Sequence, residues 1–338
     1  MTVIIILNWN GAGDTIDCLR SLFKAEGDFF VVIADNGSSD YSTEEIVDYL
    51  HHNGVHYSVL QYGEKLATKP QRGDVILYSL NENLGFARGN NEVLRLLFHI
   101  GTFDYYLLLN NDTVVDATFL SRLSDFARIH PEADAMTPLI CYYSDPQKIW
   151  NAGGRQFWGF RKYFFAKRDK SQLQLSGYKK VTFLTGCALF FTPSILMPDG
   201  SLLTERFFFG EEDFELCLRM NAAKKNMACV YDSVIYHKVS MSVTNMPSIG
   251  RIYIYYLNRF IDMRLHISKV KYACWSRLYS VYVIVLLRKK GITSWRESEH
   301  FVKLILRQSV LKDSVTATDF LKAQQCSSVA ELKKMQFL

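Results

Sequence analysis

The 338-residue chain lacks a long uninterrupted apolar run: its longest charge-free apolar stretch, Leu278 to Leu287, falls far short of the ~20 residues a spanning helix needs. No transmembrane helix is therefore expected. The segment Met1-Thr2-Val3-Ile4-Ile5-Ile6-Leu7 has no basic n-region and too short an apolar run for a secretory signal, so a strand is expected there. Cysteine pairs of the C-x-x-C type and Cys/His ligand arrays are also missing. The cysteines at 18, 141, 187, 217, 229, 274 and 326 are odd in number and read as reduced, mostly buried thiols of a cytoplasmic protein. There is no internal repeat or low-complexity tract, and 49% apolar with 22% charged residues excludes a disordered or collagen-like chain. Large net charge is absent as well, at +5, but the balance is uneven. Arg251 to Leu311 holds twelve Lys/Arg against Asp262, Glu297 and Glu299, a local +9 that leaves −4 elsewhere.

What is present is an alternation of short apolar runs with helical patterns. Val3–Asn8, Phe29–Ala34, Tyr57–Leu60, Val75–Ser79 and Tyr105–Leu109 read as strands. Asp14–Lys24, Thr43–His52 and Ala87–Ile100 read as helices. This order predicts a mostly parallel α/β sheet, whose ligands gather at the carboxyl ends of the strands. Beyond Phe119 the spacing predicts strands at Ala135–Cys141, Val181–Phe191 and Met227–Tyr231, a hairpin or binding loop at Trp150–Phe165 and a helix at Glu211–Ala223. From Pro247 to Gln308 two or three basic helices are expected.

Each of three strands ends in a polar cluster: Asn8-Trp9-Asn10-Gly11, Asp35-Asn36-Gly37-Ser38-Ser39-Asp40 and Asn110-Asn111-Asp112. Any one alone is explained by turn and capping chemistry. Three at one sheet edge make a crevice floor of amides and carboxylates.

Taken with Asn83-Leu84-Gly85-Phe86-Ala87-Arg88-Gly89-Asn90-Asn91, Gly186-Cys187-Ala188 and Glu212-Asp213-Phe214-Glu215-Leu216-Cys217-Leu218-Arg219, these clusters resemble the inverting family 2 glycosyltransferases of GT-A fold. Within that family the chain is most similar to the rhamnosyltransferase-like branch that builds bacterial surface polysaccharides. The match runs from Val3 to about His237, with a further echo in Tyr255-Tyr256-Leu257-Asn258-Arg259. The resemblance implies a GT-A catalytic domain over 1–245, with a nucleotide-binding half (1–115) and an acceptor-binding half (116–245), followed by a helical basic region over 246–338. It implies a dTDP- or UDP-sugar donor contacted by Asn8, Asn10, Asp35, Asn36, Gly85, Arg88, Asn110 and Asn111, with Asp35 and Asn36 on the pyrimidine nucleoside. It further implies a divalent Mg or Mn ion held by Asp112 and His237, and Asp213 as catalytic base. One departure is plain: Asn110 stands where the family's metal element has its first carboxylate, which leaves Asp112 as the anionic ligand and the diphosphate to supply the rest.

The chemistry asks for these residue types independently. A leaving diphosphate needs charge stabilisation, which a bound ion provides as a Lewis acid, and an acceptor hydroxyl needs a carboxylate to take its proton, an effect of roughly 10²–10⁴-fold. Direct displacement inverts the anomeric centre. Asp213, at a helix start beside Glu211 and Glu212, suits the base; the alternative is a solvated acidic first turn. His237 reads as a ligand or as a structural histidine, and Arg88 as a nucleotide contact or as a partner of Glu92. Trp150, Gly153, Gly154, Phe157, Trp158 and Glu212 are candidates for a glycan or lipid-linked glycan acceptor, with an aromatic core hairpin as the alternative for the aromatic segment.

A dinucleotide-dependent oxidoreductase is excluded by the missing G-x-G-x-x-G turn. A sugar nucleotidyltransferase lacks its Gly-rich basic loop after the first strand. A non-catalytic nucleotide-sugar module stays open through Asn110. Nucleic acid is not expected, because the basic helices are interleaved with apolar stretches. Those same helices, around Trp275, Tyr279 and Tyr282, are expected to hold the protein at the inner face of the plasma membrane or to pack as core.

Overall fold

The computed structural model describes residues 1–239 and 248–335. The first part runs β1 (Thr2–Asn8), α1 (Ala12–Leu22), β2 (Phe29–Asp35), α2 (Ser42–His52), β3 (Tyr57–Gln61), β4 (Val75–Ser79), α3 (Gly85–Phe98) and β5 (Tyr105–Asn110). It continues through β6 (Thr113–Val115), α4 (Phe119–Ile129), β7 (Ala133–Tyr142), β8 (Ile149–Asn151), β9 (Gly154–Phe157), β10 (Phe160–Tyr163), β11 (Tyr178–Val181), β12 (Ala188–Phe191), α5 (Glu212–Ala222) and β13 (Asn226–His237). The helices α6 (Ile249–His266), α7 (Lys269–Lys289), α8 (Trp295–Leu311), α9 (Ala317–Gln324) and α10 (Val329–Lys334) follow.

One large sheet has the order β11-β13-β7-β12-β5-β1-β2-β4-β3, with β6 on β13 and β8 on β7; β9 and β10 form a separate antiparallel hairpin. β1, β2, β3, β4 and β5 are parallel, and β12 enters antiparallel between β5 and β7. Because side chains alternate across a strand, Val3 and Ile5 of β1 join one core and Ile4 and Ile6 the other. Helices α1, α2 and α4 cover the second face. The first is covered by α3, α5 and the C-terminal helices, whose Tyr253, Phe260, Trp275 and Phe301 belong to the same continuous core as Val3 and Phe214.

Three readings are corrected. The single strand expected over Val181–Phe191 is two: the chain leaves the sheet after Val181, Leu184 N donates to Cys217 Sγ at 3.2 Å, and pairing resumes at Ala188. The strand expected at Met227–Tyr231 runs on to His237 through a bulge between Val230 and Val234, which carries the chain back to the crevice. Third, α7 is long and apolar enough to cross a membrane by length and composition, with a mean hydropathy of 1.2 over its best stretch. Counting only a charge-free run missed it, since Lys271 and Arg277 interrupt the run without ending the helix. The α4 helix was not expected at all. The boundary expected at 245/246 and the helix start expected at Pro247 lie outside the described residues.

Candidate active site

Register fixes the floor of the crevice. Asn8 pairs with Asp35 across β1 and β2, and Leu7 with Asn110 across β1 and β5, so the three polar clusters end in one row. At the β1/β2 end Asn8 is fully buried; its Nδ2 donates to Asp35 Oδ1 at 2.8 Å, and its Oδ1 accepts from Thr15 Oγ1 at 2.7 Å. Ser38 Oγ donates to Asp35 Oδ1 at 2.6 Å and accepts from Asn10 N at 2.9 Å. Asn111 Nδ2 donates to Thr15 Oγ1 at 3.2 Å. Thus Asn8, Asn10, Asp35 and Asn111 form one connected network through Ser38 and Thr15, neither of which the sequence reading singled out as a contact.

Asn36 is buried beside it and works as a brace. Its Oδ1 accepts from Leu84 N at 3.0 Å, and its Nδ2 donates to Asn83 Oδ1 at 3.0 Å, which shapes the turn into α3. Gly85 stands there at φ +80°, where an added Cβ would meet the Phe208 carbonyl oxygen at 2.0 Å, so only glycine fits. Arg88, one turn further on, is half exposed and lies 4.0 Å from Glu92.

Mid-crevice, His237 Nε2 lies 3.1 Å from Asp112 Oδ1, both side chains being buried. The bulged end of β13 delivers the histidine, pairing His237 with Thr113 of β6. Burial works against the imidazolium, but Cys187 and the Asp112 carboxylate outweigh it and push the His237 pKa up to about 10. The Trp150 ring packs edge-on to His237, with centroids 4.5 Å apart. That places Trp150 at the Asp112 end of the crevice.

At the opposite wall, α5 opens with Glu211 at φ +75°, Glu212 and Asp213. Asp213 stands against Gly186, where an added Cβ would lie 4.0 Å from Asp213 Cβ. Its side chain is 22% exposed, and Arg161 Nη1 of β10 sits 3.4 Å from Oδ1. Desolvation raises the Asp213 pKa, Arg161 opposes this, and Glu211 adds to it. For Glu212, whose Oε1 accepts from Gly210 N at 2.7 Å, desolvation pushes the pKa up to about 8.

Behind the acidic turn lies an ion network that sequence reasoning missed. Arg259 of α6 is buried, pairs with Glu211 and donates to the Gly159 carbonyl; Glu211 also lies 3.5 Å from Arg161. The Arg161 guanidinium is held over Tyr163, Phe183 and Tyr255, with ring centroids 5.8, 5.6 and 5.5 Å away. Asn258 Nδ2 donates to the Phe209 and Gly210 carbonyls at 3.2 and 2.9 Å. The one available signal was Tyr255-Tyr256-Leu257-Asn258-Arg259.

The acceptor candidates divide. Glu212 is at the wall. Gly153 and Gly154 are buried packing positions; at Gly154 a Cβ would meet the Lys162 carbonyl oxygen at 2.7 Å. Phe157 and Trp158 are exposed at the hairpin tip, where the Trp158 carbonyl accepts from Trp275 Nε1 at 2.9 Å.

Comparison with known proteins now adds to this geometry. Solved structures similar to this chain include the 1–349 fragment of TarS from S. aureus, at 13% identity and TM-score 0.53, covering 96% of this chain and 81% of that one. The mannosyltransferase PcManGT from Pyrobaculum calidifontis, in complex with GDP-Man and Mn²⁺, matches at 11% identity and TM-score 0.51, covering 92% of this chain and 86% of that one. GalNAc-T7 with UDP, GalNAc and Mn²⁺ matches at 10% identity and TM-score 0.56, covering 99% of this chain and 56% of that one. At such identities the likeness establishes the fold, a GT-A fold with a helical C-terminal region. No match was found among curated proteins. The Glycosyl transferase family 2 profile matches residues 3–197, more than half the chain. On that match and this crevice, the chain belongs to glycosyl transferase family 2.

Proposed function

We propose that the chain moves rhamnose or another hexose from a dTDP- or UDP-sugar to a glycan hydroxyl, with inversion, in the synthesis of a bacterial surface polysaccharide. The observation that carries this reading is the Asp213 carboxylate, open on one edge at the crevice wall while its flank is held by Arg161 and its backbone by the α5 start. Arg161 opposes the desolvation that raises the Asp213 pKa, and a partly exposed carboxylate made more basic in this way is suited to accept the hydroxyl proton as the new bond forms. The Asn8, Asn10 and Asp35 network offers the nucleoside a preorganised set of donors and acceptors at the far end.

Asp112 and His237 are the residues that would hold a divalent ion. One carboxylate and one imidazole converge there, with the Cys187 thiol against His237, and among the described residues no set of three or more His, Cys, Asp or Glu is arranged to hold an ion. This donor set fits an ion completed by diphosphate oxygens and water. When bound, such an ion supplies Lewis-acid stabilisation of the leaving diphosphate.

Donor binding and turnover test the reading together. Titration of dTDP- and UDP-sugars with Mn²⁺ should give affinity that EDTA and Asp112→Ala both weaken strongly and Asn110→Ala weakens less, and the transfer product should carry the opposite anomeric configuration. Binding without any transfer or donor hydrolysis would instead favour a non-catalytic nucleotide-sugar module, for which Asn110 is the supporting feature.

A further inference from the structure

Helix α7 is apolar on both sides. Inward, Trp275, Tyr279, Val283 and Leu287 are buried, with the Trp275 ring 5.0 Å from Phe260 and 4.7 Å from Tyr279. Outward, Val270, Leu278, Val281, Tyr282 and Val285 are exposed at helical spacing. A helix apolar all round belongs in a covered setting, and no described residue covers this outer face. The β9–β10 hairpin extends the patch: the Phe160 ring lies 4.9 Å from Tyr282, and Phe157 and Trp158 stand beside it, 64% and 50% exposed.

Charge selects the occupant. α7 has no acidic residue; Lys269 and Lys271 stand at one end, Arg277 midway, and Arg288 and Lys289 at the other, followed by Lys290. An apolar centre with aromatic edges and a purely cationic frame complements acyl chains beneath anionic headgroups. Each basic residue at such a leaflet strengthens binding by about fivefold. Spanning is disfavoured by the inner face, because inserting α7 across a bilayer would strip Trp275 and Tyr279 from the core they share with α6.

We propose that the outer face of α7 and the hairpin tip dock together on an anionic bilayer, with α7 lying in the plane of the interface. The hairpin also carries Arg161, 3.4 Å from Asp213, so docking brings the membrane surface within one hairpin of the base. A lipid-linked glycan is then the acceptor class the site receives. This last step rests on the transferase reading; the docking does not.

Flotation of the full chain with phosphatidylcholine vesicles, with and without phosphatidylglycerol, at low and high salt, tests the proposal. The protein should float with phosphatidylglycerol vesicles at low salt, and high salt or Leu278→Glu/Val281→Glu should weaken this by about tenfold or more. The variant should keep the wild-type thermal shift with UDP or dTDP, since neither side chain reaches the crevice. Remaining unbound at low salt, or an unchanged variant, overturns the proposal. So does a wild-type dimer that the variant disperses, since a second copy would then cover the face. Intact flotation with no nucleotide-induced shift would sink the transferase reading and leave the docking standing.

Discussion

At the end of the crevice proposed to take the nucleotide, Asn8, Asn10, Thr15, Ser38 and Asn111 are tied by amide and hydroxyl hydrogen bonds around the single carboxylate of Asp35. At the end proposed to hold the base, Glu211, Glu212 and Asp213 crowd one helix start and are offset by Arg161 and Arg259, with Asp262 buried behind. The difference is one of cost. A neutral hydrogen bond contributes roughly 1 kcal/mol net, whereas removing one partner of a buried ion pair costs roughly 3–5 kcal/mol, because the other charge stays desolvated. The neutral, hydrogen-bonded end is therefore a scaffold that tolerates adjustment. The acidic end is held by opposed charges, and those charges bear on the Asp213 carboxylate proposed as the base.

The largest effect expected from breaking this contrast is that of Arg259→Met, which leaves Glu211 buried without its main partner. It should destabilise the fold by roughly 3–5 kcal/mol in denaturant melts. A loss below about 1 kcal/mol would mean that Glu211 is served by Arg161 alone.

A pH series sharpens the comparison next. The Glu212 pKa is raised in the folded state to about 8, above its ordinary value of 4.5, so the folded protein binds the extra proton between these limits. Stability on this account is full at low pH and declines as pH rises from about 4.5 toward 8. Glu212→Gln keeps the acceptor for Gly210 N and cannot ionise. It should be more stable than wild type by roughly 1–3 kcal/mol at pH 8, with the difference closing toward pH 5. A difference that is flat with pH would show Glu212 to be ordinary.

The smallest effect belongs to the nucleotide end. Thr15→Val removes the hydroxyl between Asn8 and Asn111 and should cost roughly 1 kcal/mol with a modest loss of nucleotide affinity. A cost equal to that of Arg259→Met would erase the contrast.

The same contrast governs how far the sequence could be read. The proposed nucleotide end is assembled from residues at the carboxyl ends of their own strands, so Asn8, Asp35 and Asn110 were legible as a row once parallel pairing was inferred. Even there, hydrogen-bond partners were not: Asn36 and Asn91 appear in motifs yet brace loops, Asn91 Oδ1 accepting from Leu202 N and Leu203 N at 3.0 Å each. The base end depends on contacts between distant segments. Arg161 and Arg259 reach Glu211 from 50 and 48 residues away in sequence; no local pattern marks Arg161, and the segment ending in Arg259 does not say which carboxylate it meets. The corrected strand at Val181–Phe191 fails for a related reason, since its apolar content matches a strand while Leu184 is tied to α5. The exposed side of α7 was hidden because burial cannot be assigned to either face of a helix that is apolar all round.

The account turns on Asp213, and Asp213→Asn tests it most directly, with transfer kinetics and nucleotide titration run on one preparation. The amide keeps the side chain's shape and its place beside Gly186 but cannot take a proton. Transfer should fall by roughly 10²–10⁴-fold while donor affinity stays near wild type. Transfer within about tenfold of wild type, with binding intact, would contradict Asp213 as the base and with it the function assigned to the charged end of the crevice.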